Sequence, residues 1–168
     1  QMNDRANRRA NALHNAGVGK GDRVAMLALD GVEHLDVLFA CGKLGAIHTA
    51  LNWRLHWREL QQILADVTPV ALIYDDGFTE AVTQLASAPS TVRHWIHLDG
   101  PGIPGSSDFN TLLAGASAVP CACETLTEED IAAIVFTGGT TGLPKGAQIS
   151  HRQIAWNGLN TVIHDLGR

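Results

Sequence analysis

The sequence contains no apolar run that approaches the roughly 20 residues needed to span a bilayer. Cysteine is scarce, with three among 168 residues, as expected for a protein of the reducing cytoplasm. The start of the chain, Gln1 to Arg9, is polar, so we expect no secretory leader. Internal repeats and low-complexity tracts are also missing. What remains, 45% hydrophobic and 17% charged residues, is typical of a soluble globular domain with a sizeable core.

Basic residues are almost missing from the middle of the chain. The segment 61–130 carries ten acidic residues and one basic residue, Arg93. This balance argues against a nucleic-acid partner, which would require a basic surface. The densest basic stretch lies near the start of the chain, and we expect it to form a solvated helix face. It consists of Arg5, Arg8, Arg9, Lys20 and Arg23.

Apolar segments and turn-forming segments alternate along the chain. Helices are expected over Met2–Asn15, Val32–Leu44, Trp57–Ala65, Phe78–Ala86, Phe109–Ala114 and His151–Leu166. Strands are expected over Arg23–Leu29, Ile47–Leu51, Pro69–Tyr74, Val92–Leu98, Ile131–Phe136 and Ala147–Ser150. The segment Asp99–Asp108 is dense in breakers and predicts a loop, and Thr127–Asp130 predicts a capping or turn element. Strands that alternate with helices indicate an α/β fold, with parallel strands joined by helical crossovers.

A stretch rich in glycine and threonine directly follows the apolar run Ile131–Phe136. It reads Thr137-Gly-Gly-Thr-Thr-Gly-Leu-Pro-Lys145-Gly146. Its glycines take positive φ at little steric cost, so successive backbone N–H groups can turn toward one anion. Threonine hydroxyls add donors and Lys145 adds a positive charge. Segment 137–146 is therefore a candidate phosphate loop, and the alternative is a glycine-rich turn between two strands. The candidate binding residues are Thr137, Gly138, Gly139, Thr140, Thr141, Gly142 and Lys145.

This segment differs from the P-loop of nucleoside triphosphatases, because Gly146 follows Lys145 where that motif requires a magnesium-binding Ser or Thr. It resembles instead the phosphate loop of the adenylate-forming superfamily, which includes acyl- and aryl-CoA synthetases, luciferases and peptide-synthetase adenylation domains. That loop reads Thr-Ser-Gly-Ser/Thr-Thr-Gly-x-Pro-Lys-Gly after a buried strand. Phe136, Thr137 and the stretch Gly139–Gly146 match it, and Gly138 replaces the serine. The glycine form is similar to that of some fatty acyl-CoA synthetases.

The resemblance extends upstream as a weaker pattern. The segments Asp4–Leu13 and Gly17–Val24 resemble the helix, turn and first strand near the start of an acyl-CoA synthetase. The stretch Leu51–Leu55 resembles the Leu-Asn-x-Arg segment of the family, with Trp53 at a position where proline is common. His56 replaces the expected Ser or Thr cap. We expect both differences to bear on how the next helix begins and not on the chemistry.

The resemblance implies a fold and a reaction. Residues 1–168 are expected to be an incomplete N-terminal AMP-binding domain, trimmed at its start and without the C-terminal domain, since family members are several hundred residues long. The parent enzyme would use ATP and Mg²⁺ to activate a carboxylic acid as an acyl-adenylate, and then transfer the acyl group to coenzyme A. Thr137 is a candidate magnesium ligand or a cap of the strand end. The fragment itself is expected to be inactive, to self-associate and to be cytoplasmic.

Two alternatives to this function stay open at the level of sequence. One is an adenylation domain that serves a carrier protein in place of coenzyme A. The other is a non-catalytic module that binds nucleotide. Residues 1–168 do not distinguish either alternative from the ligase. In family members, the segments that hold the acid and the acceptor lie largely beyond the region that corresponds to Arg168.

Several other residues have a structural interpretation. His94 and His97 lie in an extended run without partners at ligand spacing, and we interpret them as strand residues. Cys121 and Cys123 lack metal-ligand spacing, so we expect surface thiols in a loop.

Trp53 and Trp57 each precede an arginine, an arrangement that could stack on bases, but the acidic chain favours packing against neighbouring elements. His151 could contact the nucleotide or begin the last helix, and the sequence does not decide between these two roles.

Overall fold

The computed structural model describes residues 2–137 and 144–166. Residues 165 and 166 are described only as part of a helix. The helices are α1 (Met2–Asn15), α2 (Val32–Leu44), α3 (Trp57–Val67), α4 (Thr79–Ala86), α5 (Phe109–Ala114) and α6 (His151–Leu166), with a 3₁₀ turn at Asp76–Phe78. The strands are β1 (Arg23–Leu27), β2 (Ile47–Ala50), β3 (Ala71–Tyr74), β4 (His94–His97), β5 (Ser107–Asp108), β6 (Ile131–Thr137) and β7 (Lys145–Ser150). The predicted alternation of strands and helices is confirmed.

The strands form one sheet in the order β5-β4-β3-β1-β2-β6-β7. Every neighbouring pair is parallel except β6 and β7, which are antiparallel. The expected parallel strands are therefore confirmed for β1 to β6, whereas β7 is antiparallel because a loop too short for a helical crossover joins it to β6. Strand β7 also begins at Lys145, two residues before the predicted start. The predicted loop Asp99–Asp108 contains the two-residue strand β5 at its end.

Helices cover both faces of the sheet. One core cluster lies between the sheet and α1, α2 and α5, and it contains Val24 and Met26 of β1. The second lies between the sheet and α3 and α4, and it contains Ala25 and Leu27 of the same strand. All four residues are fully buried, as expected for a central parallel strand covered on both faces.

The helix ends have identifiable causes. Helix α2 ends at Gly45, which adopts φ 70° and donates its N–H to carbonyl oxygens of the last turn. Helix α3 begins at His56, whose Nδ1 accepts a hydrogen bond from the Arg58 N–H at 3.3 Å. The Glu59 carboxylate accepts from the His56 N–H at 2.9 Å. His56 therefore performs the capping role that Ser or Thr has in the related segment.

The basic residues near the start form a solvated face only in part: Arg8 and Lys20 are exposed, but Arg9 is largely covered and pairs with a buried carboxylate, as Arg5 does. Asp36 of α2 is fully buried, and its carboxylate pairs with Arg5 at 2.8 Å and with Arg9 at 3.1 Å. These ion pairs join α1 to α2, and Arg5 and Asp36 are 31 positions apart in sequence. The other three side chains donate to backbone carbonyl oxygens: Arg8 to Ala116, Lys20 to Thr125, and Arg23 to Val67 and Thr68.

No helix within residues 2–137 and 144–166 combines the length and the apolar character needed to cross a membrane.

Candidate phosphate-binding site

The candidate loop joins the two strands of the β6–β7 hairpin. The register pairs Ile131 with Ser150 at one end and Thr137 with Lys145 at the other. Gly138, Gly139, Thr140, Thr141 and Gly142, five of the candidate binding residues, lie outside the described residues. The described part of the site therefore consists of the two ends of the loop.

Thr137 and Lys145 are the last paired residues of the hairpin. The Thr137 hydroxyl donates a long hydrogen bond, 3.4 Å, to the carbonyl oxygen of Lys145. Both side chains are exposed, and within the described part of the chain the Lys145 ammonium has no carboxylate partner. A residue with a hydroxyl and a residue with an ammonium are thus paired across the two strands where the loop begins and ends. This combination of donors suits phosphate oxygens.

The next pair of the hairpin is Phe136 and Gly146. A Cβ placed on Gly146 would lie 3.2 Å from Cζ and 3.3 Å from Cε1 of Phe136, and 2.9 Å from Cγ2 of Ile134. The phenyl ring therefore covers the space where any other residue would carry a side chain. Close packing favours glycine at this position, because a larger residue would make the Ile134 methyl and the ring shift.

The loop follows the carboxyl end of a parallel strand. Since β6 runs parallel to β2, and β2 to β1, the carboxyl ends of these three strands meet at one edge of the sheet. Open α/β sheets bind their ligands at this edge. An open cavity of about 330 Å³ lies there. Its lining residues are Ala28, Asp30, His34, Ala50, Leu51, Asn52, Trp53, Arg54, Val135 and Phe136.

Trp53 and Arg54 belong to this cavity. The Trp53 ring is half-buried and packs against the second core cluster, which confirms the packing interpretation for that residue. The Arg54 guanidinium lies over the same ring, 4.0 Å from its centroid. Residues of the Leu-Asn-x-Arg segment thus line the edge of the sheet that carries the loop.

His151 lies at the other end of the hairpin. It directly follows Ser150, which pairs with Ile131. Ile131 lies six residues before Thr137 on β6, so the two ends of the hairpin are about 20 Å apart. His151 is the first residue of α6, and its ring approaches Gly42 of α2. Of the two roles left open by the sequence, His151 therefore has the helix-starting one.

A turn anchors that end of the hairpin, as predicted for Thr127–Asp130. The Asp130 carboxylate accepts from the Thr127 N–H at 2.7 Å and pairs with Lys20 at 2.9 Å. The hydrogen bond from Lys20 and that from the Thr127 backbone lower the pKa of the Asp130 carboxyl to about 2. The Asp130 carbonyl oxygen accepts from the His151 N–H at 3.1 Å. Both strands of the hairpin are thus attached to the turn.

His48 of β2 is a buried histidine with an unusual environment. Burial, with a smaller contribution from the nearby His34, lowers the pKa of His48 to about 4. Its ring lies 5.9 Å from that of His34, and its Nδ1 is buried without a hydrogen-bond partner among the described residues. His48 is therefore neutral near pH 7. Its position within a short apolar strand gave no signal of this environment in the sequence.

The histidines and cysteines that could suggest a metal do not form a site. In the described ranges, no group of three or more His, Cys, Asp and Glu side chains could hold a metal ion. His94 and His97 lie in β4, as predicted, and His97 Nδ1 bonds to the Ser106 hydroxyl at 2.9 Å.

All three cysteines are free. Cys121 and Cys123 are half-buried, and Cys121 packs against the first core cluster, so they are less accessible than the expected surface thiols. Cys41 is fully buried, and burial raises the pKa of its thiol to about 12.

Comparison with known proteins gives a consistent result. The sequence model of the family described as AMP-binding enzyme matches residues 1–167. A feruloyl-CoA synthase from Amycolatopsis sp is 32% identical over 168 residues, which is 97% of this chain and 30% of that protein. An indoleacetate–CoA ligase from Aromatoleum aromaticum is 36% identical over 161 residues, covering 95% of this chain and 31% of that protein.

The solved structures agree with the sequence relatives. An anthranilate CoA ligase in complex with anthranoyl-AMP superposes with a TM-score of 0.85 at 30% identity, over 90% of this chain and 29% of that chain. The similar region lies in the N-terminal domain of adenylate-forming enzymes, which confirms the predicted fold class. The chain spans about 30% of the length of the curated relatives it matches.

Proposed function

The chain belongs to the AMP-binding enzyme family, and from this we propose that it contributes the nucleotide-phosphate site of an ATP-dependent carboxylic acid–CoA ligase. Relatives named as CoA ligases support the reaction class. Their names mention different acids, so we assign the substrate only as a carboxylic acid. The observation that carries the proposal is the hairpin pair Thr137 and Lys145, a threonine and a lysine with exposed side chains at the two ends of one glycine-rich loop at the carboxyl edge of the sheet.

The proposed reaction has two steps. A carboxylate oxygen attacks the α-phosphorus of ATP, the bond to the bridging oxygen of the β-phosphate breaks, and pyrophosphate leaves. The thiol of coenzyme A then attacks the acyl carbon, loses its proton, and displaces AMP. In the first step negative charge accumulates on the departing pyrophosphate. Fixed donors directed at that charge lower the barrier, because they need no reorganisation during the reaction.

The loop residues are assigned to this charge. Lys145 would pair with oxygens of the pyrophosphate portion, and Thr140 and Thr141 would donate their hydroxyls to it. Gly138, Gly139 and Gly142 would present backbone N–H groups. These roles rest on the motif, since the two threonines and three glycines lie outside the described part of the chain. The Lys145 side chain, which is exposed and has no carboxylate partner among the described residues, supports them.

A magnesium ion that accompanies ATP would neutralise part of the phosphate charge. Mg²⁺ commonly keeps several waters and binds through one or two protein oxygens together with substrate phosphates. The described residues fit this arrangement in one respect, because Thr137 presents an exposed hydroxyl oxygen next to the loop. Thr137 remains our candidate for a protein ligand of that ion.

Three further proposals concern the 168-residue chain alone. It should be catalytically inert, because a phosphate loop by itself cannot hold the acid, the ribose and the acceptor in register. It should self-associate, because β7 is an edge strand and α6 exposes large apolar side chains. These side chains are Ile154, Trp156, Leu159, Val162 and Ile163, between 39% and 58% exposed. Scarce cysteines, none of them in a disulfide, support a cytoplasmic location.

Two competing functions are kept as outcomes of the test. An adenylation domain with a carrier-protein acceptor would perform the first step but would form its thioester on the carrier. A non-catalytic module would bind ATP without acid-dependent chemistry.

The test is carboxylate-dependent exchange of labelled pyrophosphate into ATP, followed by thioester analysis after coenzyme A is added. We expect exchange and acyl-CoA formation by a full-length polypeptide that carries residues 1–168, and neither by the 168-residue chain. ATP binding without exchange in the full-length polypeptide would contradict the ligase function. Exchange by the short chain would contradict its proposed inertness.

A further inference from the structure

The phenyl ring of Phe136 lies against the backbone of the neighbouring strand at Gly146. The two residues are paired in the hairpin, and the ring atoms come within 3.2 Å and 3.3 Å of the position that a Gly146 Cβ would occupy. Gly146 directly follows Lys145 in β7, and Phe136 directly precedes Thr137 in β6. The contact therefore lies one residue away from both ends of the candidate loop.

The same ring also contacts the body of the domain. Phe136 is half-buried, packs against the second core cluster and lines the cavity at the carboxyl edge together with Trp53. Strand β7, in contrast, is an edge strand whose residues Lys145 to Gln148 are exposed. Among the described residues, only β6 pairs with β7. Near Lys145, the Phe136 ring and the Ile134 side chain therefore join an otherwise exposed strand to the core.

We propose that Phe136 is a positioning residue of the phosphate site. By covering Gly146 it fixes the backbone of β7 at Lys145, and so keeps Lys145 paired with Thr137. Gly146 is the matching half of the contact, because a Cβ there would crowd the ring and Cγ2 of Ile134. The inference rests on the proposed function, since it assigns the position of Lys145 a role in phosphate binding.

The simpler interpretation is that Phe136 is only an aromatic residue of the core. Phe78 provides a matched control for that interpretation, because it is also a half-buried phenylalanine packed against the second core cluster but lies outside the hairpin. If Phe136 acts only through stability, replacing either residue should affect phosphate binding in proportion to the loss of stability. If Phe136 positions Lys145, its replacement should weaken binding beyond that proportion.

The experiment uses the 168-residue chain labelled with ¹⁵N and titrated with inorganic pyrophosphate. Affinity is read from amide chemical shifts, and stability from thermal unfolding of the same samples. We expect Phe136→Leu to weaken pyrophosphate binding by about tenfold, since a displacement of about 1 Å disrupts the geometry of charged hydrogen bonds. Phe136→Tyr, which keeps the ring, should bind within about twofold of the unmodified chain. Phe78→Leu should lower the melting temperature similarly and leave the affinity unchanged.

Gly146→Ala gives an independent variant if Phe136→Leu is poorly folded. It should weaken pyrophosphate binding as much as Phe136→Leu does. The double variant should lose less affinity than the product of the two single fold-losses, because both changes disrupt one contact.

Equal loss of affinity in Phe136→Leu and Phe78→Leu would overturn the positioning role, as would unchanged affinity in both Phe136→Leu and Gly146→Ala. Failure of the unmodified chain to bind pyrophosphate would instead contradict the assignment of the loop as a phosphate site in this chain, and the positioning role would be rejected with it.

Discussion

Thr137 and Lys145 face each other as the last pair of the β6–β7 hairpin, with the Thr137 hydroxyl 3.4 Å from the Lys145 carbonyl oxygen. Seven residues separate them in sequence, yet the hairpin register brings them together at the carboxyl edge of the sheet. The first and last residues of a loop between two such paired residues lie close together in space. Donors from both ends can therefore approach a single phosphate group.

The Thr137 hydroxyl is expected to contribute directly to phosphate binding. Thr137→Val keeps the shape of the side chain but removes the donor, and should weaken pyrophosphate binding by about 1 kcal/mol, or about fivefold. Thr137→Ser retains the hydroxyl and is the matched control. Titration of the labelled chain with pyrophosphate measures both variants. Equal affinity of Thr137→Val and Thr137→Ser would show that the hydroxyl only caps the strand end.

The buried Asp36 is expected to be one of the main electrostatic determinants of stability. Asp36→Asn would leave the guanidinium groups of Arg5 and Arg9 without their carboxylate, and should lower the free energy of unfolding by about 3 kcal/mol. Asp66→Asn, the same change at an exposed position of α3, should alter it by less than about 0.5 kcal/mol. Urea denaturation of both variants at neutral pH gives the comparison. A small effect of Asp36→Asn would mean that the ion pairs contribute little to joining α1 and α2.

His48 predicts a loss of stability in mild acid. Its pKa is about 4 in the folded protein and about 6.5 in the unfolded chain. As the pH falls from about 6.5 to about 4, the unfolded chain therefore binds the proton first and becomes relatively more stable. The full loss, reached below pH 4, is about 3 kcal/mol.

His48→Phe should remove this pH dependence, because phenylalanine does not titrate. His14→Phe, the same change on the exposed end of α1, should leave the dependence as it is. The measurement is the free energy of unfolding at several pH values between 4 and 7, alongside an NMR titration of the histidine rings. If the free energy of unfolding falls equally with pH in the unmodified chain and in His48→Phe, the loss of stability belongs to other titratable groups.

Much of the fold could be predicted from local patterns. Helix α2 has its predicted bounds because a periodic apolar pattern ends at Gly45, whose positive φ stops the helix. Strand β5 was missed because it is two polar residues long and its stability comes from pairing with β4, which local sequence does not reveal. The antiparallel direction of β7 was missed because alternating elements predict crossovers, whereas this hairpin has none.

The sequence motif predicts the chemistry of the site but not the contacts around it. It predicts a phosphate loop over 137–146, whereas in the structure Thr137 and Lys145 are already the last paired residues of two strands. The Phe136 and Gly146 contact depends on hairpin register, which the sequence leaves undetermined. The arginines of α1 were misjudged for a related reason, because their partner Asp36 lies about 30 residues away in another helix.

The central claim is that the loop acts on the pyrophosphate portion of ATP, and Lys145→Ala in a full-length polypeptide carrying residues 1–168 tests it most directly. Acyl-adenylate formation and thioester formation from a supplied acyl-adenylate are measured separately in the same variant. The account predicts a loss of about 2 to 4 kcal/mol in kcat/KM for the first reaction, by analogy with removal of one preorganised donor. The second reaction should change much less, because it involves no pyrophosphate. Equal losses in both reactions would mean that Lys145 acts through folding and not through phosphate, and would contradict the account.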